Sequence, residues 1–163
     1  RSNGTIELLS TFPLTDEQVV MGKFWAALKL ILVGLLFTLI HFITIIVLGT
    51  NIDYGAIICG YLGLVLVGAV YAAIGMFASS LSNNQIVSFI ISFAIIFILY
   101  MLQYSLFFIP AGLAGIFQYI SIGYHFSSIA RGEIDTRNII YFLGLIVIFL
   151  RLAVTVLESR KWK

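Results

Sequence analysis

Charge is what this sequence has least of. Only 10% of its 163 residues are Asp, Glu, Lys or Arg, while 61% are hydrophobic. A soluble domain carries roughly 25% charged residues, so the balance places the chain in the membrane class. The formal net charge is only +2, which leaves nucleic-acid binding without a basic footprint. The one cysteine, Cys59, lies in an apolar run and excludes a disulfide within the chain. Catalytic motifs are missing too. No G-x-x-x-x-G-K-[ST] loop is present to cradle ATP phosphates, since Gly22 and Lys23 are followed by Phe24. No H-E-x-x-H, no Cys/His cluster at metal spacing and no G-x-S-x-G elbow occurs. His125 stands by itself beside Phe126, and Glu133 and Asp135 read as a solvated turn. The chain is therefore expected to be no enzyme, and to hold no catalytic residue, metal or cofactor of its own.

Long apolar runs supply what the charges do not. A membrane helix needs about 20 predominantly apolar residues. Four runs meet this, at about 24–48, 56–80, 86–109 and 139–157, and the mean hydropathy of the chain is +1.12. The first is too long for a signal-peptide core of roughly 7–15 residues and follows a polar-leaning segment, 1–23. The fold class expected is an all-α integral membrane protein with four transmembrane helices in a single domain. Residues 110–138 are too short and too interrupted by Gly for another hairpin. They read as interfacial or re-entrant pieces on the outer face.

Four spans put both termini on one side. Arg1, Lys23, Lys29, Arg151, Arg160, Lys161 and Lys163 lie near that side, and Arg131 and Arg137 near the other. The bias of basic residues assigns the terminal side to the cytoplasm. Lys29 and Arg151 lie about two turns inside their spans and can snorkel to that interface. The centres of the spans then lack Asp, Glu, Lys and Arg, and ion-coupled carriers usually need such groups there. His41 is the exception, and with Thr38 and Thr44 it forms a polar stripe at steps of three. The stripe reads either as a proton or substrate pathway or, more economically, as hydrogen bonding between helices. In the second span Gly68, Ala72, Gly75 and Ser79 share one face, which reads as a seam for close helix packing within the chain or between subunits.

The opening segment is patterned rather than merely polar. If 4–12 is helical, Ile6, Leu8, Leu9 and Phe12 share one face and Glu7, Ser10 and Thr11 the other, which makes a short amphipathic helix. Pro13 breaks it. A restart follows: Thr15 as N-cap with Gln18 completes a capping box, Leu14 and Val19 occupy the staple positions, and Asp16 and Glu17 suit the helix dipole. The restarted helix runs on through Lys23 into the first span.

With these residues in view, the run GTIELLSTFPLTDEQVVMGKFWAALKL resembles the cytoplasmic segment of type-2 ABC transporter permeases, where a G-T-[IL]-E-L-L motif and a proline break lead into a membrane helix. HFSSIARGEIDTRNIIYFL and VLESRKW are similar to the subgroup of gliding-motility and nitrous-oxide-reductase accessory permeases, and SSLSNNQIV to the family's next cytoplasmic loop. That loop often carries a charged residue near position 83, where this chain has uncharged Asn83. The resemblance covers essentially the whole chain. Members have six spans, so it implies an N-terminally truncated sequence holding the last four of a six-helix permease domain. It also implies a mechanism. A dimer of permease copies or paralogues in the plasma (inner) membrane pairs with ABC ATPase subunits. These bind the ATP, and a coupling helix carries their motion to the spans. Thr5, Glu7, Leu8, Ser10, Thr11, Pro13, Leu14 and Thr15 are the matching contact residues. Export of an unidentified substrate is the implied activity. The rival reading is a non-transporting membrane scaffold, which would need only packing.

Overall fold

The computed structural model describes residues 15–105 and 111–161. Six helices occupy them: α1 (Asp16–Leu48), α2 (Tyr54–Leu81), α3 (Gln85–Ser105), α4 (Ala111–Ile120), α5 (Ile122–Ala130) and α6 (Thr136–Lys161). Four of these, α1, α2, α3 and α6, are long and apolar enough to cross a membrane. The 33 residues of α1 at 1.5 Å each reach roughly 50 Å, well beyond a hydrocarbon core of about 30 Å. It is therefore longer than a perpendicular crossing needs.

Short polar side chains set the starts of the long helices, because the first amides of a helix have no partner within it. Thr15 Oγ1 accepts from the Gln18 amide at 3.3 Å, and Gln18 Oε1 accepts from the Thr15 amide at 3.1 Å, forming the expected capping box. Asp53 accepts from Ala56 N before α2, Asn84 from Ile86 N before α3, and Asp135 from Arg137 N before α6. The last of these caps explains why α6 begins at Thr136, ahead of the apolar run. At the end of α5, Gly132 takes φ +88° and its amide bonds to the carbonyl of Ile129. That left-handed geometry closes a helix without the strain a Cβ would bring.

The four long helices alternate in direction, so Thr15, the α2–α3 loop and the C-terminal turns of α6 share one end of the bundle. The α1–α2 loop, α4, α5 and the start of α6 share the other. α2 is the hub: it packs on α1, α3, α5 and α6, while α1 and α3 do not meet among the described residues. Two apolar clusters result. Val20, Phe24 and Leu28 of α1 pack with Ala69 and Ala73 of α2 and Leu150, Ala153 and Val154 of α6. Cys59, Val70 and Ile74 of α2 pack with Ile122 and Ile129 of α5 and Phe142 of α6. Alanine at 69, 73 and 153 lets the backbones of α2 and α6 lie close, the usual device where lipid and core are equally apolar. The outward surface is rich in large apolar side chains, such as Phe37, Val47, Phe89 and Phe93. Such a surface suits an acyl-chain solvent.

Residues 110–138, expected as shallow pieces, contain α4 and α5 joined at Ser121. α5 does not lie loosely on the bundle. It packs against α2, α3 and α6, and a Cβ on Gly63 of α2 would come within 3.2 Å of both Ile129 and Phe126.

Candidate functional site

The end of the bundle that carries Thr15 is built as a clamp. The α1 stripe Val20, Phe24, Leu28 recurs every four residues and buries one face of the helix between α2 and α6. One turn earlier Glu17 accepts a hydrogen bond from Arg151 of α6 at 2.7 Å. The ion pair rims an apolar groove of about 320 Å³ between α1 and α6, floored by Val20, Val147 and Leu150. Arg151, read from sequence as a snorkelling side chain, thus has a specific partner.

A second clasp closes the α2–α3 loop. Arg160 donates to Oδ1 of Asn83 at 2.8 Å and to the carbonyl of Leu81 at 2.6 Å. The loop has no charge of its own, but α6 brings a guanidinium to it. Sequence distance hid this, because the partners are 77 and 79 residues apart. Beside the loop, α2 and α3 enclose a groove of about 410 Å³ lined by Gly75, Ser79, Ser82, Ser88 and Ser92 among others. The hydroxyls of Ser88 and Ser92 bond back to the carbonyls of Asn84 and Ser88, which is how isolated serines are usually accommodated in a membrane helix.

The residues singled out in the sequence fall in different places. Thr5, Glu7, Leu8, Ser10, Thr11, Pro13 and Leu14, and with them the amphipathic helix and the staple, lie outside the described residues. Thr15 is exposed at the same end and bonds within its own helix start, to Gln18. Of the small-residue face, Gly68 lies against Ile31 of α1, where a Cβ would come within 2.9 Å of its Cγ2. Ala72 packs on the α1–α2–α6 cluster, and Gly75 and Ser79 open to the serine groove. Thr38 Oγ1 lies 3.0 Å from the Tyr61 hydroxyl of α2, Thr44 bonds to its own helix at Ile40, and His41 is exposed on α1.

The opposite end holds a polar node that sequence reading passed over. His125, solitary in sequence, is 3% exposed. Its Nε2 lies 3.0 Å from the carbonyl oxygen of Tyr119 and its Nδ1 2.6 Å from Oδ1 of Asn138. The Tyr141 ring stacks on it, centroids 4.0 Å apart, and the Tyr141 hydroxyl donates to the carbonyl of Ile120. The only available signal was the spacing of Asn138 and Tyr141, which puts them three residues apart on one face of α6.

The family model of the ABC-2 family transporter proteins matches residues 1–113, a stretch that includes the clamp's α1 and α2 and the α2–α3 loop. The chain belongs to the ABC-2 transporter family. That family supplies membrane components of transporters, generally non-catalytic, which typically work with an ATPase partner. No curated protein and no solved structure matches the chain. With four candidate spans, this ABC-2 chain is a multi-pass membrane protein of the permease type.

Proposed function

We propose that this chain is the permease subunit of an ABC transporter, exporting an unidentified substrate with ATP hydrolysed by a separate ATPase subunit. The observation that carries the reading is the clamp at the Thr15 end. A helix capped there and wedged between α2 and α6 turns any push on the preceding segment into a movement of three spans. Segment 5–15 is the contact in this reading, with Glu7, Ser10 and the corner 13–15 facing the ATPase. Supporting it are the family membership and the amphipathic pattern of that segment. The bias of basic residues supports a cytoplasmic Thr15 end, and the family resemblance supports the plasma membrane. Two permease chains, identical or paralogous, would pair with two ATPases, and the resemblance to the gliding-motility and nitrous-oxide-reductase accessory subgroup favours that assembly.

The test is a double variant, Glu7→Lys with Leu9→Pro, co-expressed with its ATPase. The ATPase should still hydrolyse ATP, while substrate movement is lost. Undiminished transport by the double variant would sink the coupling role. A chain that neither co-purifies with a Walker-type ATPase nor alters its rate would instead be the membrane scaffold.

A further inference from the structure

We propose that His125 is a proton-binding site that ties α5 to α6 when protonated and releases that tie when neutral, its bond to α4 persisting in both states. A carbonyl oxygen only accepts, so the nitrogen facing Tyr119 O at 3.0 Å must carry a proton. The other ring nitrogen lies 2.6 Å from Oδ1 of Asn138, which also only accepts. A neutral imidazole has one N–H and satisfies one of these oxygens. An imidazolium has two and satisfies both, and its contacts span α4, α5 and α6. When the ring is an imidazolium, the Nδ1–H bond to the Asn138 oxygen is charge-assisted. The face of Tyr141, stacked at 4.0 Å and 20°, adds a favourable quadrupole for the cation.

The surroundings leave the proton to this ring. From α4 the titratable contact is Tyr119, from α5 itself Tyr124, and from α6 Tyr141. α2 brings Cys59 and Tyr71 to the adjoining cluster, and α3 brings uncharged Gln103 against Gly123. Phenols and thiols ordinarily titrate above pH 8, and histidine between about pH 5 and 8. The nearby carboxylates are turned elsewhere: Asp135 caps α6 at Arg137 N, and Glu133 accepts from Ser128. The sign follows. Both bonds are present when the ring is charged, and one is lost as pH rises through its titration.

Full-length protein in lipid nanodiscs provides the test, by hydrogen exchange of the peptide covering 115–130 from pH 5 to 8. Corrected for intrinsic rates, protection should fall about fivefold to tenfold as pH rises, the worth of one hydrogen bond. It should be independent of pH in His125→Gln, and its midpoint should move to higher pH in Asn138→Asp, where a carboxylate favours the cation. Nitrogen-15 imidazole shifts of the wild type need no variant at the site, and His41→Gln removes the only other histidine signal. They should show two protonated nitrogens at pH 5 and Nε2–H alone at pH 8. A singly protonated ring throughout, with the Asn138 amide turned to donate, overturns the proposal. So does protection that responds to pH equally in His125→Gln.

Discussion

The carboxylate of Glu17 and the guanidinium of Arg151 meet at 2.7 Å, joining the first turn of α1 to α6 across the mouth of an apolar groove. Both side chains are more than half exposed, so the pair in water would add less than about 1 kcal/mol. Its value is directional, because it fixes where the entry of α1 sits on α6. Arg151→Glu should lower the unfolding temperature by a few degrees through like-charge repulsion. Adding Glu17→Arg should restore most of the loss. A thermal-unfolding cycle in detergent checks this, and additive effects of the two substitutions would deny the pairing.

Gly68 and Gly75 of the small-residue face should respond differently. At Gly68 even a methyl would come within 2.9 Å of Ile31, whereas a Cβ at Gly75 meets nothing within 4 Å. Gly68→Leu should therefore cost about 1–3 kcal/mol by overpacking the α1–α2 contact. Gly75→Ala should leave the unfolding temperature unchanged or slightly higher. Equal damage at both positions would mean that Gly75 faces a packed helix in the working assembly.

How much of this was legible follows from the range of each interaction. Caps are local, so Thr15, Gln18 and the acidic first turn of α1 could be read directly and are found as read. Span lengths follow from apolar runs, although α6 extends past its run at both ends because Asp135 caps it early and its polar last turns stay helical. Pairings across the bundle were not legible. Nothing near Arg160 in sequence points to Asn83, and nothing near His125 points to Tyr119 as a carbonyl acceptor. The small-residue stripe told that α2 packs closely. It did not tell that Gly63, outside the stripe, faces Phe126 and Ile129 of α5 at close range.

Arg160 makes a prediction of its own. Its two bonds to Asn83 and Leu81 hold a loop that is otherwise tied by its own Ser82 and Asn84. Arg160→Ala should cost about 0.5–1.5 kcal/mol locally. Amide exchange within 82–86 should then rise several-fold while exchange in the buried middle of α2 stays the same. A uniform rise along α2 would place Arg160 in global stability instead.

Ser121 and Phe142 occupy the same end of the molecule and should behave oppositely. Both are fully buried, at 0% exposure. Phe142 fills the centre of the α2–α5–α6 cluster, so Phe142→Ala removes apolar contact and leaves a cavity, at about 3–5 kcal/mol. The Ser121 hydroxyl has no hydrogen-bond partner among the described residues and makes no cap bond to α5. A buried hydroxyl without a partner costs about 1–3 kcal/mol, so its removal should be neutral or stabilising. Ser121→Ala should therefore raise the unfolding temperature or leave it in place. A clear drop would show that the hydroxyl is bonded in the membrane-embedded protein.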